Sequence, residues 1–371
     1  MQLIPTADEI LLPYLCWGIG NIAAKWDNFY VSVDAPAVLK VLVQRLAEEN
    51  FSEATFQLVV GDITYALRSI VSHELSYESI QSTLLLFTKL IKNWQQYPRR
   101  AVYNALSGIK NIAIHNNERA IGLLLCISEW ECVQQMVVIL DKEKTDDPIT
   151  REDFSHIIAD AVYYQEDDKK IANLVESNLL GVFFTILKAN PRAAVKYHIC
   201  ITIANLCVDQ HCRTILNHTD LIRMLVEVFP TVQKPIRREI CFILNLCLED
   251  EEILREHSNS LVECGLLEYF CHVVQRKIHG NLLEQALQCL KRVLHIGEFL
   301  VDNENILFNE YVLRFGEKGG REILMQIASN ENNLYAGLPA SIASGILTSF
   351  FGSKYEEFCA RKRGFKIKKA L

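Results

Sequence analysis

Cys16-Trp17-Gly18-Ile19-Gly20-Asn21-Ile22-Ala23 is an apolar stretch closed by an amide, and the pattern returns along the chain. It reappears as Ser107-Gly108-Ile109-Lys110-Asn111-Ile112-Ala113, as Ile201-Thr202-Ile203-Ala204-Asn205-Leu206-Cys207 and as Cys241-Phe242-Ile243-Leu244-Asn245-Leu246-Cys247. Fainter copies at Tyr65–Ser69 and His156–Asp160 put anchors at 21, 69, 111, 160, 205 and 245, so successive intervals are 48, 42, 49, 45 and 40 residues. Helical units of roughly 40–47 residues stack into solenoids, because no single unit buries its apolar face alone. The period predicts an all-α repeat solenoid with one shared core.

Composition agrees. Half of the 371 residues are hydrophobic, while prolines number nine and glycines sixteen. No stretch of about 18 unbroken apolar residues suggests a membrane span, and alternating strand-like runs are few. Residues 1–12 carry Asp8 and Glu9 but no basic residue, unlike a secretory signal. The twelve cysteines sit mostly in apolar helical runs, as at Cys126, Cys200, Cys207, Cys241, Cys247 and Cys289, which points to reduced core thiols in a cytosolic or nuclear protein.

Stacked repeats present the same helix of each unit along one groove, so the recurrent asparagines predict a ladder of amides. Each amide offers two donors and an acceptor, a set suited to the main chain of an extended peptide. The alternative is an asparagine that caps or bonds the neighbouring repeat. Net charge is −7, from 38 basic and 45 acidic residues. Glu249, Asp250, Glu251 and Glu252 follow the Asn245 helix and Glu166-Asp167-Asp168 follows the Asp160 helix. Both acidic turns are expected at the groove rim, where they attract basic partners through a salt-sensitive field; the alternative is that they solvate loops.

Apolar periodicity places helices at Gly61 to Ser72, Ser79 to Lys92, Arg99 to Ile114, Ile171 to Lys188, Val195 to Val208, Arg237 to Leu248, Leu261 to Val274 and Asn281 to His295, among others. Residues 142–148 read as a polar linker, and Asn190-Pro191 and Lys234-Pro235 as turns opening new units. No boundary between independent domains is visible. Residues 1–352 read as one solenoid. Residues 353–371, which hold Arg361, Lys362, Arg363, Lys366, Lys368 and Lys369, read as a basic, solvated and disordered tail, with nucleic-acid contact a minor alternative.

These residues resemble the importin-α family of armadillo-repeat proteins. Residues 16–23 are similar to that family's third repeat, whose helix typically reads Trp-Ala-Leu-Gly-Asn-Ile-Ala. The later anchors follow the order of repeats four to eight, the run from Gln285 to Glu298 is similar to the ninth, and Tyr311 to Gly352 resembles the atypical last one. The resemblance covers nearly the whole chain. It implies a right-handed superhelical armadillo solenoid acting as an adaptor for extended basic peptides, namely nuclear localisation signals, in the cytoplasm and nucleus. The alternative is an armadillo scaffold or decoy that no longer reads such signals.

The peptide-binding residues implied are Trp17, Asn21, Tyr65, Asn111, Asp160, Asn205 and Asn245, rimmed by Glu249 to Glu252. In the family a Trp one turn before each Asn forms a slot for lysine and arginine stems, by apolar contact and cation–π attraction. Here that position is Trp17 once and then Tyr65, Ser107, His156, Ile201 and Cys241; Ser69 and Asp160 stand in place of Asn. The main-chain ladder is better kept than the lysine slots. The resemblance implies partners with basic extended segments and a nuclear export receptor of the importin-β superfamily. The family's amino-terminal importin-β-binding segment and first two repeats have no counterpart here, so the usual coupling to importin-β has no support in the sequence.

Catalytic motifs are not apparent. His73 is followed four residues later by Tyr77, which breaks a zincin pattern, and residues 316–320 lack the spacing of a phosphate-binding loop. His198, Cys200, Cys207, His211 and Cys212 hold metal-ligand chemistry, but without paired Cys-x-x-Cys spacing they read as core residues. The expectation is a protein without cofactor or metal, and without a membrane partner.

Overall fold

The computed structural model describes residues 3–26, 29, 33–48, 51–117, 125, 129–143, 148–208, 211–275, 281–304, 308–329 and 338–360. Among these, helices alternate with short turns and no strand occurs. The chain forms two compact units: Met1–Val182 with Asn190–Thr202, and Phe183–Ala189 with Ile203–Leu371. The division runs through helices rather than a linker, so composition does not mark it.

The first unit holds α1 (Leu11–Lys25), α2 (Ala35–Ala47), α3 (Glu53–Ile70), α4 (Tyr77–Lys92), α5 (Arg99–Ile112), α6 (Trp130–Glu143), α7 (Pro148–Tyr163) and α8 (Asp168–Glu176). Helices α1, α3, α5 and α7 pack side by side in one layer, and α2, α4 and α6 back them in another. The pattern of apolar residues dictates this division. In α4, Ile80, Leu84, Phe87 and Ile91 recur every three or four residues and are all buried, so one stripe faces inward. In α3, Val59, Val60, Ile63, Ala66, Leu67 and Ile70 are buried around most of the helix, as befits an element with neighbours on several sides. Gly108 lets α5 close on α4, since a Cβ there would lie 2.2 Å from the Phe87 ring.

Helices α9 (Leu179–Lys188) and α10 (Ala193–Val208) carry the chain into the second unit. There three successive triads follow: α11 (Cys212–Asn217), α12 (Thr219–Val228) and α13 (Lys234–Cys247); α14 (Glu251–Glu263), α15 (Leu266–Gln275) and α16 (Asn281–Glu304); α17 (Glu310–Glu317), α18 (Gly320–Ser329) and α19 (Leu338–Phe350). The last helices of the triads, α13, α16 and α19, stack on one another, as do α12, α15 and α18. Their core includes Phe229 and Tyr269, whose rings meet edge to face at 5.1 Å, together with Ile240, Leu244, Leu290, Phe315 and Ile346. Each large side chain so buried contributes about 1.5–3 kcal/mol.

Turn chemistry sets where the helices stop. Gly265 at φ 94° and Gly319 at φ 81° end α14 and α17 in the left-handed region, and Asn178 at φ 72° does the same after α8. The apolar runs 171–188 and 261–274, each predicted as one helix, are therefore two helices apiece, because a left-handed residue turns the chain between segments that are apolar on both sides. Asp34, Asp167, Asp250 and Asn309 cap the starts of α2, α8, α14 and α17 with side-chain oxygens on backbone N–H groups. Helix α5 ends at Ile112, short of Ile114, and widens into a π turn over Ala113–Asn117.

Residues 353–360, assigned by sequence to the tail, are helical. Phe351, Tyr355 and Phe358 form an aromatic face there, with Phe358 stacked on Phe308 at 4.7 Å, which gives this segment a reason to fold that net charge alone conceals. The basic residues Arg361, Lys362, Arg363, Lys366, Lys368 and Lys369 lie outside the described residues, as do Cys126 and positions 144–147 of the linker.

Candidate peptide-binding face

In α1 the buried stripe is Leu12, Cys16, Gly20 and Ala23. Opposite it, Ile10, Tyr14, Trp17 and Asn21 recur at intervals of four, three and four residues, and Tyr14 and Trp17 are 68% and 55% exposed. An aromatic surface of this kind beside an amide offers a platform for apolar stems and a hydrogen-bonding edge. Asn21 Oδ1 accepts a hydrogen bond from the Tyr65 hydroxyl of α3 at 3.1 Å. Gly20 makes this possible: a Cβ there would lie 2.6 Å from the Tyr65 ring.

Further along the layer, the side chains bond one another. Asn111 Nδ2 donates to the Arg68 carbonyl at 3.4 Å. Asn104, two turns earlier on α5, donates to the Gly61 carbonyl at 3.1 Å and the Thr64 hydroxyl at 3.2 Å, and accepts from Arg68 at 3.4 Å. Arg100 pairs with the buried Asp62 at 2.8 Å. Asp153, 2% exposed on α7, accepts from Lys110 Nζ at 2.8 Å and from the Ser107 hydroxyl, while Glu152 lies 3.4 Å from the same ammonium. Burial acts to strip Lys110 of its proton, but Asp153 and Glu152 outweigh it and hold its pKa above the ordinary lysine value. A resident cation thus occupies the acidic pair.

Asp160 meets His156 at 3.2 Å, and the His156 ring stacks on His198 of α10 with centroids 4.5 Å apart and planes 15° from parallel. Burial first, and then the neighbouring His156, push His198 down to about 4, so it is neutral near pH 7. Ser69, the weak anchor of α3, is buried.

In the second unit the amides are differently placed. Asn205 is half-buried and its Nδ2 has no hydrogen-bond partner among the described residues. Asn245 is 1% exposed; its Nδ2 lies 3.5 Å from Gln285 Oε1, and its Oδ1 has no partner among the described residues. The Cys241 thiol, one turn earlier, is buried, which pushes it up to about 12. Of the four acidic rim residues, Asp250 caps α14 through Glu252 N at 2.8 Å and Ile253 N at 3.0 Å. Glu251 pairs with Arg255 at 3.4 Å and Glu252 lies 3.8 Å from Arg213. Glu249 is exposed. Local helix capping and i,i+4 pairing account for much of this acidic run.

Three residues of this network, Asn104, Asp62 and Asp153, were not among the sequence-derived candidates. Asn104 had a readable signal, since it sits seven residues before Asn111 on the same helical stripe. Asp153 had none, because its partners are more than forty residues away in sequence and meet it only through stacking.

No protein-family model and no curated protein matches this sequence. Solved structures do. A computationally designed armadillo-repeat protein for modular peptide recognition superposes with a TM-score of 0.50 at 15% identity, over 71% of this chain and 99% of its own. A designed armadillo-repeat protein in complex with the peptide (KR)4 gives 0.48 at 16% identity over 71% of this chain and 98% of that one. An engineered protein gives 0.49 at 14% identity over 94% and 98% respectively. The fold of the chain is that of an all-α, armadillo-like repeat solenoid.

Proposed function

We propose that the protein is an armadillo scaffold that holds an extended segment of a partner protein against the layer of signature helices. The observation that carries this reading is the exposed stripe Ile10, Tyr14 and Trp17 beside Asn21, opposite the buried stripe of the same helix. An indole more than half exposed on an ordered helix provides both apolar area and a cation-binding face. The designed protein that shares the fold was made for modular peptide recognition, and the function proposed here is of that kind.

The finer reading is an adaptor for basic segments of the nuclear-localisation type, present in cytoplasm and nucleus. Trp17 and Asn21, four residues apart, supply one complete aromatic–amide pair for it. Elsewhere in the first unit Lys110 already neutralises Asp153 and Glu152, so a ligand lysine there has to displace a resident one. Selection for lysine is accordingly concentrated at Trp17. Calorimetry with basic and apolar peptides of equal length at matched ionic strength tests both readings. Trp17→Ala is expected to weaken binding at least tenfold; equal affinity of the variant for every peptide bound would remove this face from the function. A basic peptide bound no better than a neutral one of equal length would leave the scaffold and discard the adaptor.

A further inference from the structure

The second unit brings Cys207, Cys212 and Cys247 together, with their sulfurs all within 4.8 Å of one another. Cys207 is the penultimate residue of α10, Cys212 opens α11, and Cys247 is the last residue of α13. Cys207 and Cys247 each stand two residues after a signature asparagine, so repeat stacking itself superposes them. Among the described residues this is the one group of three or more His, Cys, Asp or Glu side chains whose ligating atoms converge. Next to it in sequence, His211 precedes α11, and its Nε2 is buried without a hydrogen-bond partner among the described residues. A buried imidazole nitrogen left unpaired is an unsatisfied group that asks for a donor or an ion.

We propose that Cys207, Cys212 and Cys247 bind a zinc ion, with the His211 ring, which lies outside the converging set of atoms, turning in as the fourth donor, and that the ion clamps the Asn205 repeat to the Asn245 repeat. Three soft sulfurs and one imidazole are a Cys3His set, the chemistry of structural zinc sites. Zinc–sulfur bonds of about 2.3 Å in a tetrahedron hold ligand sulfurs roughly 3.8 Å apart. The Cys207 and Cys247 sulfurs are 3.6 Å apart, close to that edge and far from the roughly 2.05 Å of a disulfide. Zinc binds each sulfur as a thiolate, so every one of the three thiols that is protonated beforehand releases its one proton to solvent, and affinity rises with pH. The sequence did not expose the set, since its third sulfur comes from the next repeat.

The test uses the full chain, purified with reductant, stripped by a chelator and titrated with zinc against a chromophoric competitor. One equivalent is expected, and cobalt(II) in its place should give the near-ultraviolet absorption of thiolate coordination. Cys212→Ser, at the half-buried position, should weaken zinc at least about 100-fold, whereas Cys289→Ser and His198→Ala, outside the set, should leave affinity within twofold. No stoichiometric uptake, or uptake that Cys212→Ser retains, overturns the proposal. Should Cys212→Ser fail to fold by circular dichroism, the unmodified chain still decides: zinc must shield Cys212 from maleimide in the native protein, and alkylation at the same rate with and without zinc overturns the site. Stoichiometric copper(I) binding with no zinc binding overturns the choice of metal.

Discussion

The two units treat the same repeating position in opposite ways. In the first, the signature helices are stitched to their neighbours by polar side chains: Tyr65 to Asn21, Asn104 to Gly61 and Thr64, Ser107 and Lys110 to Asp153. In the second, cross-repeat polar contacts are longer, as from Asn245 to Gln285 at 3.5 Å and from Arg292 to the Leu248 carbonyl at 3.4 Å, and Asn205 and Asn245 each keep an amide atom without a partner among the described residues. A satisfied buried polar network fixes register, whereas an unsatisfied amide is a liability until something bonds it. The first unit has therefore used its polar groups for its own architecture, and the second has held some back.

Breaking the first network should have the largest effect. Asp153→Ala leaves the Lys110 ammonium without its nearest counter-ion in a mostly buried site, and should lower stability by about 3 kcal/mol in urea unfolding. A loss under 1 kcal/mol would show that the network is ornamental. Replacing asparagines in the two units sharpens the contrast. Asn104→Ala removes the bonds to the Gly61 carbonyl, the Thr64 hydroxyl and Arg68 and should cost about 2 kcal/mol, while Asn245→Leu removes one long contact to Gln285 and an oxygen with no partner among the described residues and should cost less than about 1 kcal/mol. Equal costs would mean that the two asparagines are equivalent and the comparison is mistaken.

The narrowest test concerns pH, at a single side chain. The folded state holds His198 near 4, well below the value of a free imidazole, so between about pH 6.5 and 4 the unfolded chain binds the proton that the folded chain refuses. Stability from this site is complete above pH 6.5 and is lost as the pH falls toward 4. Carboxylates titrate in the lower half of that window, so the comparison is with His198→Phe, which should flatten the slope above pH 5. A slope unchanged by that substitution would detach the stack with His156 from the acid response.

The sequence by itself determined the class and the rhythm. Anchors 40 to 49 residues apart, few prolines and glycines, and apolar stripes of helical period leave a stacked helical array as the arrangement that buries them. It also placed Trp17 and Asn21 on one helix at a spacing of four, which any helix puts on one face. What it did not determine is which side chains meet across repeats. The breaks at Asn178 and Gly265 are flanked on both sides by apolar residues, and the left-handed φ is what fixes them. Asp250 reads as part of an acidic rim until the backbone N–H groups it caps are seen. Lys110 with Asp153, and Cys207 and Cys212 with Cys247, join residues about one repeat apart. Helix stacking brings such positions within reach, and the offset and rotation between neighbouring helices, set by close contacts such as Gly20 on Tyr65 and Gly108 on Phe87, decide which of them touch.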